Sequence, residues 1–206
     1  MDTWETILAS ELNGTYSSRY SVGDIKTLKI GDSFIPMQIV GFDKDAGMTT
    51  AYITWMSVGF IALKGMNPTN TNAGGWTESK MRTYLQDIVY PQIDPVVRDE
   101  IVPAIKTSYD YTTSSTITTT DTVWIPSYRE IFGDYYYETS GCDYTDFFTD
   151  STSRIKKYGL SGSASHWWLR SAGNSIASYF GCVYSSGDSG YKNAISTYGV
   201  VLGFCT

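Results

Sequence analysis

The last 46 residues of this 206-residue chain, 161 to 206, hold only three charged side chains: Arg170, Asp188 and Lys192. From 173 onward there is no Glu, Gln, Met or Trp. A segment so poor in acids and bases offers little to general acid–base catalysis, which needs titratable groups within hydrogen-bonding reach of the reacting atoms. Histidine occurs once in the whole chain, so any Ser-His or Cys-His mechanism would have to run through His166. Its setting, "SASHWWLR", carries no nucleophile motif such as GxSxG and reads as a structural histidine before an apolar strand. Cysteine occurs three times, at Cys142, Cys182 and Cys205, without CxxC or metal-ligand spacing. An odd number cannot all pair within one chain, which leaves two readings: buried free thiols of a reducing compartment, or one bridge and one free thiol.

Basic residues are outnumbered, 15 to 21, and the formal net charge is -6. That balance argues against a nucleic-acid partner, because neutralising phosphates needs a basic field. The one basic cluster, "RIKKYG" from Arg154 to Gly159, reads as a solvated turn or a set of structural ion pairs. No apolar run approaches the length of a membrane helix, about 18 residues or more, so no membrane span is expected. The opening "MDTWETILASELNGTY" has acids where a secretory signal needs positive charge.

What is present reads as an α+β domain of mostly antiparallel strands. The length suits one domain with a sizeable core, and no linker divides it. Charged residues make up 17% of the chain, below the roughly 25% of soluble domains, so polarity must come from Ser, Thr, Asn and Tyr. Trp4, Ile7, Leu8 and Leu12 recur at helical spacing and predict a helix ending near Asn13 and Gly14. "IKTLKI", "DSFIPMQIVGFD" and "MTTAYITWMSVGF" read as strands of a meander. Met81, Tyr84, Leu85 and Ile88 predict the second main helix, with Thr77 as N-cap and Pro91 beyond its end. Asp94 and Pro95 open a short helix, and Ser127 caps another over "YREIFG". The threonine-rich stretch from 106 to 127 reads as β segments or a hairpin rather than disorder, since Tyr109, Tyr111, Ile117, Val123 and Trp124 punctuate it. The aromatic, acidic stretch after it reads as a loop; Asp134, Glu138, Asp143, Asp146 and Asp150 could attract a hard cation, but without EF-hand spacing no metal site is assigned.

The C-terminal 46 residues contain ten serines, seven glycines and four tyrosines. Tyrosine supplies a large, rigid, amphipathic face, and Ser, Gly and Asn supply adaptable hydrogen bonds, the mixture that antibody loops use. "HWWLRSA", "SYFGCVYSSG" and "YGVVLGFCT" read as strands, with "SSGDSG" as a hairpin turn. Too polar for a core and too aromatic for a linker, this segment reads as a binding surface.

A family resemblance spans most of the chain. "YSVGDIKTLKIGDSFIPMQIVGFDKD", "NTNAGGWTESKMRTYL", "TTTDTVWIPSYREIFGD", "SRIKKYG", "HWWLRSA" and "GVVLGFC" resemble, in that order, C-type-lectin-fold domains of gut bacteria and their phages. Within that group the chain is most similar to the variable proteins of diversity-generating retroelements, whose C-terminal segment is rewritten by adenine-directed mutagenesis. The resemblance implies a C-type lectin fold with two main helices, a scaffold over 1–160 and a ligand-binding variable segment over 161–206. It implies framework positions at Phe180, Val183, Ser185, Gly187, Ala194, Gly199, Val200, Gly203, Phe204 and Cys205. The variable, ligand-contacting positions would be Asn174, Ile176, Ser178, Tyr179, Cys182, Tyr184, Ser186, Asp188, Ser189, Gly190, Tyr191, Asn193, Ile195 and Tyr198, flanked by Trp167 and Trp168. Tyr179, Tyr184, Tyr191 and Tyr198 are the candidate anchors, since interface hot spots favour aromatics, and Arg170 is expected to pair with an acid that braces the segment. The implied partner is a protein or cell-surface ligand, with no cofactor and no catalysis, and the location would be a phage virion or a bacterial cytoplasm or surface.

The genetic code offers an internal comparison. Mutating the adenines of an AAC or AAT codon yields Asn, Tyr, Ser, Asp, Gly, Ile and Cys but never Lys, Glu, Gln, Met or Trp; Lys192 is the one exception after 173. Three other readings compete. One is a passive module of a virion or envelope. Another is an oxidoreductase like the more distantly similar formylglycine-generating domains, which need an active-site cysteine pair. The last is a calcium-dependent sugar lectin, whose Glu-Pro-Asn and Gln-Pro-Asp motifs are absent.

Overall fold

Alternating apolar residues at 25–57 build the first layer. In this computed structural model, which describes residues 1–45, 52–133, 135, 137–138, 142–159 and 162–206, β1 (Ile25–Ile30), β2 (Ser33–Phe42) and β3 (Ile53–Ser57) form an antiparallel meander. The sheet is completed by β11 (Gly203–Cys205), which pairs with β3 from the far end of the chain. The N-terminal part of the third predicted strand, 48–51, lies outside the described residues. Ahead of the meander, α1 (Trp4–Leu12) starts at Thr3, whose Oγ1 accepts the Thr6 N–H, and stops at Asn13.

A second, five-stranded sheet has the order β4 (Ala62–Lys64), β10 (Tyr198–Val200), β7 (Trp167–Ala172), β8 (Tyr179–Val183) and β9 (Ser189–Asn193). All its neighbours are antiparallel except β10 and β7. The threonine-rich stretch is the hairpin of β5 (Ala104–Asp110) and β6 (Ser115–Asp121), paired along seven residues. The fold is therefore α+β and rich in antiparallel pairing.

The second main helix departs from expectation. Its cap is Ser79, not Thr77: the buried Ser79 Oγ accepts the Arg82 N–H and donates to the Trp76 carbonyl. From there α3 (Lys80–Tyr84) passes into a π-helical turn over Leu85–Val89 and a 3₁₀ turn over Tyr90–Gln92. The wider turn rotates the apolar face. Met81, Leu85 and Val89 face the core, while Ile88, placed there by a regular 3.6 repeat, is 52% exposed. Asp94 caps the single-turn α4 (Pro95–Arg98), and Ser127 with Glu130 forms a capping box at α5 (Tyr128–Phe132). A last short helix, α6, covers Ser151–Arg154.

The five-stranded sheet separates two apolar clusters. On one face Trp168, Phe180, Cys182 and Val200 pack with Trp55, Trp76 and Trp124; on the other Trp167, Leu169 and Val183 pack with Met56, Phe60 and Phe148. Strand β7 is buried on both faces, as central strands with covered faces are. Trp167 and Trp168, expected to flank the binding segment, are fully buried on opposite faces of β7.

Arg170 behaves as expected. Its guanidinium meets Glu130 through two bonds of 2.6 and 2.8 Å and donates to the carbonyls of Thr107 and Ile125. Glu130 also faces Lys106 at 3.1 Å, and Lys106 in turn pairs with Asp45, all of them buried. Burial alone would push these groups toward neutrality, yet their mutual charges hold both carboxyls below their ordinary range and both cations above theirs.

Strands from 161–206 enter both the four-stranded and the five-stranded sheet, so this segment is interlaced with the remainder rather than appended to it. The boundary at 160 is one of composition.

Candidate ligand-binding surface

Register decides which side chains share a face. Opposite residues of antiparallel strands point the same way, so Phe180, Cys182, Gly190 and Lys192 share one face with Trp168. Tyr184, just past Val183, continues that face. Its ring covers Gly190, where an added Cβ would lie 2.1 Å from the ring's Cζ, and the Lys192 ammonium stands 5.1 Å from the ring centre. His166 packs between Tyr184 at 4.9 Å and Tyr198 at 5.1 Å, and Tyr198 rests on Trp168 at 5.0 Å. The result is a half-exposed aromatic shelf of Tyr184, His166 and Tyr198 on a buried tryptophan. His166 Nδ1 accepts the Ser185 N–H, which ties the shelf to the hairpin turn. Burial, helped by Lys192, holds the imidazole below its ordinary pKa.

That turn, 184–188, is closed by bonds from the Tyr184 N–H to the Asp188 carbonyl and from the Gly187 N–H to the Tyr184 carbonyl. Gly187 sits at φ 88°, and a Cβ there would lie 1.8 Å from the Ser151 carbonyl oxygen. Only glycine satisfies both conditions. Ser186 and Asp188 project outward from the tip and bond each other at 2.8 Å.

At the opposite end of β8 the loop from 173 to 179 is gripped by a residue that composition did not single out. Asn72, fully buried, donates its Nδ2 to the carbonyls of Gly173, Ile176 and Tyr179 at 3.4, 3.1 and 2.9 Å, and its backbone N–H donates to the Ala177 carbonyl. Every one of these contacts is to backbone. The Asn72 clamp therefore makes no use of the side chains at 174, 176 and 178, although Ser178 Oγ adds its own bond to Asn193 Oδ1 at 3.2 Å. A buried asparagine inside "TNTNAGGW" was the available signal, but its partners lie about 100 residues away in sequence.

The fourteen expected contact positions divide clearly. Ile176, Ser186, Asp188, Ser189 and Ile195 are exposed, and Asn174, Ser178, Tyr179, Tyr184, Tyr191, Asn193 and Tyr198 are partly so. Cys182 and Gly190 are buried, one in the core beside Trp168 and the other beneath Tyr184. Neither can touch a ligand, because the alternation of β8 and β9 turns them inward. Tyr191 belongs to a different neighbourhood, on the opposite face. It hydrogen-bonds Tyr135 hydroxyl to hydroxyl at 2.7 Å and lies 6.1 Å from Tyr128, and burial lifts its phenol to about 12. The candidate anchors thus fall on both faces, with Tyr184 and Tyr198 sharing the shelf.

Of the five acids that could attract a hard cation, the four among the described residues serve separate partners. Glu138 accepts the N–H groups of Tyr109 and Arg129, Asp143 binds Thr145, Asp146 pairs with Lys44, and Asp150 caps α6. Asp134 lies outside the described residues. Among the described residues the cluster with metal-ligand chemistry is Asp45, Glu130 and Cys142, and its oxygens already serve Lys106 and Arg170. The three thiols are free, and burial lifts those of Cys142, Cys182 and Cys205 above the ordinary range. Among the described residues no helix is long and apolar enough to cross a membrane.

These features define an α+β domain that presents an aromatic, hydroxyl-rich surface on a rigid sheet. The chain belongs to the family described as a domain of unknown function, DUF6273, whose model matches residues 51–205. No curated protein and no solved structure matches the chain.

Proposed function

We propose that this chain is a C-type-lectin-fold binding protein whose C-terminal segment is diversified by a retroelement to recognise varied protein or cell-surface ligands. One observation carries the reading. The outward-facing positions between 174 and 198 stand on backbone held by groups outside those positions: the Asn72 amide and the close approach of Gly187 to Ser151, while the Arg170–Glu130 pair anchors the neighbouring strand β7. Side chains presented by a fixed backbone lose less entropy on binding than those on a free loop, and such a surface can change its contacts without refolding.

Binding rather than catalysis follows from the same residues. The shelf's histidine has lowered basicity, its Nδ1 is taken by the Ser185 backbone N–H, and no hydrogen bond joins it to a serine hydroxyl or a carboxylate among the described residues. A cysteine-pair oxidoreductase has little support here, since Cys182 is buried in β8 and Cys205 is buried in the other sheet. An undiversified receptor-binding or envelope module is the second reading, favoured by the buried positions Cys182 and Gly190, which a freely rewritten segment would not tolerate equally. The source locus separates the two: a neighbouring reverse transcriptase and a template repeat, differing from this gene at template adenines, support diversification, and their absence supports the fixed module.

A further inference from the structure

The chain carries a net -6, yet Lys64 and Lys192 beside the shelf, and Lys80 beside Lys64, form no ion pair among the described residues. Lys64 lies opposite Tyr198 in the β4–β10 register, and its ammonium stands 4.4 Å from the centre of the Tyr84 ring. Lys192 makes the matching arrangement with Tyr184. An ammonium held over an aromatic face keeps its charge while its stem covers apolar surface.

Lys64 and Lys80 line a groove of about 410 Å³ together with Leu63, Asn67, Pro68 and Ile195. Its floor is apolar: Leu63 is 48% and Ile195 52% exposed. Along its inner wall lies β4, which has a sheet neighbour on one side only. An edge strand beside an apolar groove suits an extended polypeptide, which adds main-chain pairing and sends alternate side chains into the groove and out to its rim.

We propose that the groove along β4 receives an acidic, extended polypeptide segment, with an aliphatic side chain over Leu63 and Ile195 and flanking carboxylates on Lys64 and Lys80. The inference rests on the reading that this face binds a ligand, but not on the face being diversified: Lys64 and Lys80 lie outside the variable segment. Charge decides the class of partner more than its affinity. Rim lysines raise the encounter rate and reject basic partners, while the apolar floor holds the bound segment.

The test uses the full chain and two fluorescein-labelled peptides, Glu-Glu-Leu-Glu-Glu-Leu-Glu and the same peptide with every Glu replaced by Gln, followed by anisotropy at low and high salt. The acidic peptide is expected to bind about tenfold or more tightly than the neutral one, with the preference shrinking at high salt as exposed charges are screened. The double variant Lys64→Glu/Lys80→Glu is expected to lose the preference while keeping the parent's melting temperature, and Lys64→Gln/Lys80→Gln to show an intermediate loss. Equal binding of both peptides overturns the proposal, as does no binding of either, or a preference that survives both double variants. Tighter binding of polygalacturonate than of the acidic peptide, lost in the same variants, would place an anionic sugar there and overturn the polypeptide. A missing template repeat at the locus would leave these outcomes intact, so failure of the diversification reading is distinguishable from failure here.

Discussion

Asn72 lies 2.9 Å from the carbonyl oxygen of Tyr179, and with the same amide it also holds Ile176 at 3.1 Å. One buried side chain thereby fixes both the body and the end of a loop that would otherwise be tied by few bonds of its own. Its Oδ1 has no hydrogen-bond partner among the described residues, a cost the fold carries in exchange for three backbone contacts. Asn72→Ala is expected to destabilise the fold by about 1–3 kcal/mol, since buried carbonyls lose their donor. Asn72→Asp places a carboxylate against three carbonyls and is expected to cost more. Hydrogen exchange should locate the damage: amides of 174–179 lose protection first, whereas a general loss across both sheets would contradict a local clamp.

The pair of Arg170 and Glu130 sits at the other extreme of energy. Both side chains are buried and doubly bonded. Arg170→Met leaves Lys106 as the one cation paired with Glu130, and Glu130→Gln takes the carboxylate from the buried Arg170 while Lys106 keeps Asp45, so each is expected to cost about 3–5 kcal/mol in chemical denaturation. A loss below 1 kcal/mol in either variant would show that the network tolerates an unpaired charge, contrary to this reading.

Tolerance should follow the division between outward and inward positions. Substituting Asn174, Ile176, Ser186, Asp188 or Ile195 by Ala or Tyr is expected to move stability by about 0.5 kcal/mol or less. Gly190→Ala is expected to displace the Tyr184 ring and cost about 1–3 kcal/mol by overpacking, although it too falls among the positions the resemblance marks as variable. Thermal unfolding of this small set decides whether solvent access or that marking predicts tolerance better.

Glu11 provides a pH signature. It is buried, accepts the Thr206 hydroxyl at 2.7 Å, and burial lifts its carboxyl from 4.5 to about 7. A raised carboxyl binds its proton more tightly in the folded state. Its contribution to stability is present below about pH 4.5 and is lost as pH rises through about 7. Lys156, buried against the carbonyls of Ser57 and Val58 and lowered to about 7, acts over the separate window from there up to its ordinary 10.5, where stability rises with pH. Glu11→Gln should therefore flatten the profile between pH 5 and 8 and be the more stable protein at pH 8, by about 1–3 kcal/mol. A variant whose profile parallels the parent's would contradict this.

Much of the architecture was legible in local pattern. Alternation marked β1 and β2, threonine with punctuating aromatics marked the β5–β6 hairpin, and Asp94 with Pro95 marked α4, because each rests on neighbours within a few residues. The π turn over Leu85–Val89 was not legible, since the apolar repeat that suggests a regular helix is satisfied until Ile88 turns outward. Within the candidate surface, composition found the segment but not its orientation. Cys182 and Gly190 look like their neighbours in sequence, and only strand register turns them inward. Trp167 and Trp168 show the same limit: a pair of adjacent tryptophans on a central strand must serve opposite faces, and both faces here are covered. Asn72 depends on contacts about 100 residues distant, which no local pattern reports.

Under the proposed function, the outward positions between 174 and 198 vary while their supports do not. Sequencing many copies of this gene from its source population tests it most directly, position by position. The account predicts substitutions concentrated at Asn174, Ile176, Ser178, Tyr179, Tyr184, Ser186, Asp188, Ser189, Asn193, Ile195 and Tyr198, drawn from changes at adenines, with Asn72, Glu130, Arg170 and Gly187 unchanged. Substitutions scattered evenly over the chain, or a C-terminal segment no more variable than β1 to β3, would contradict it.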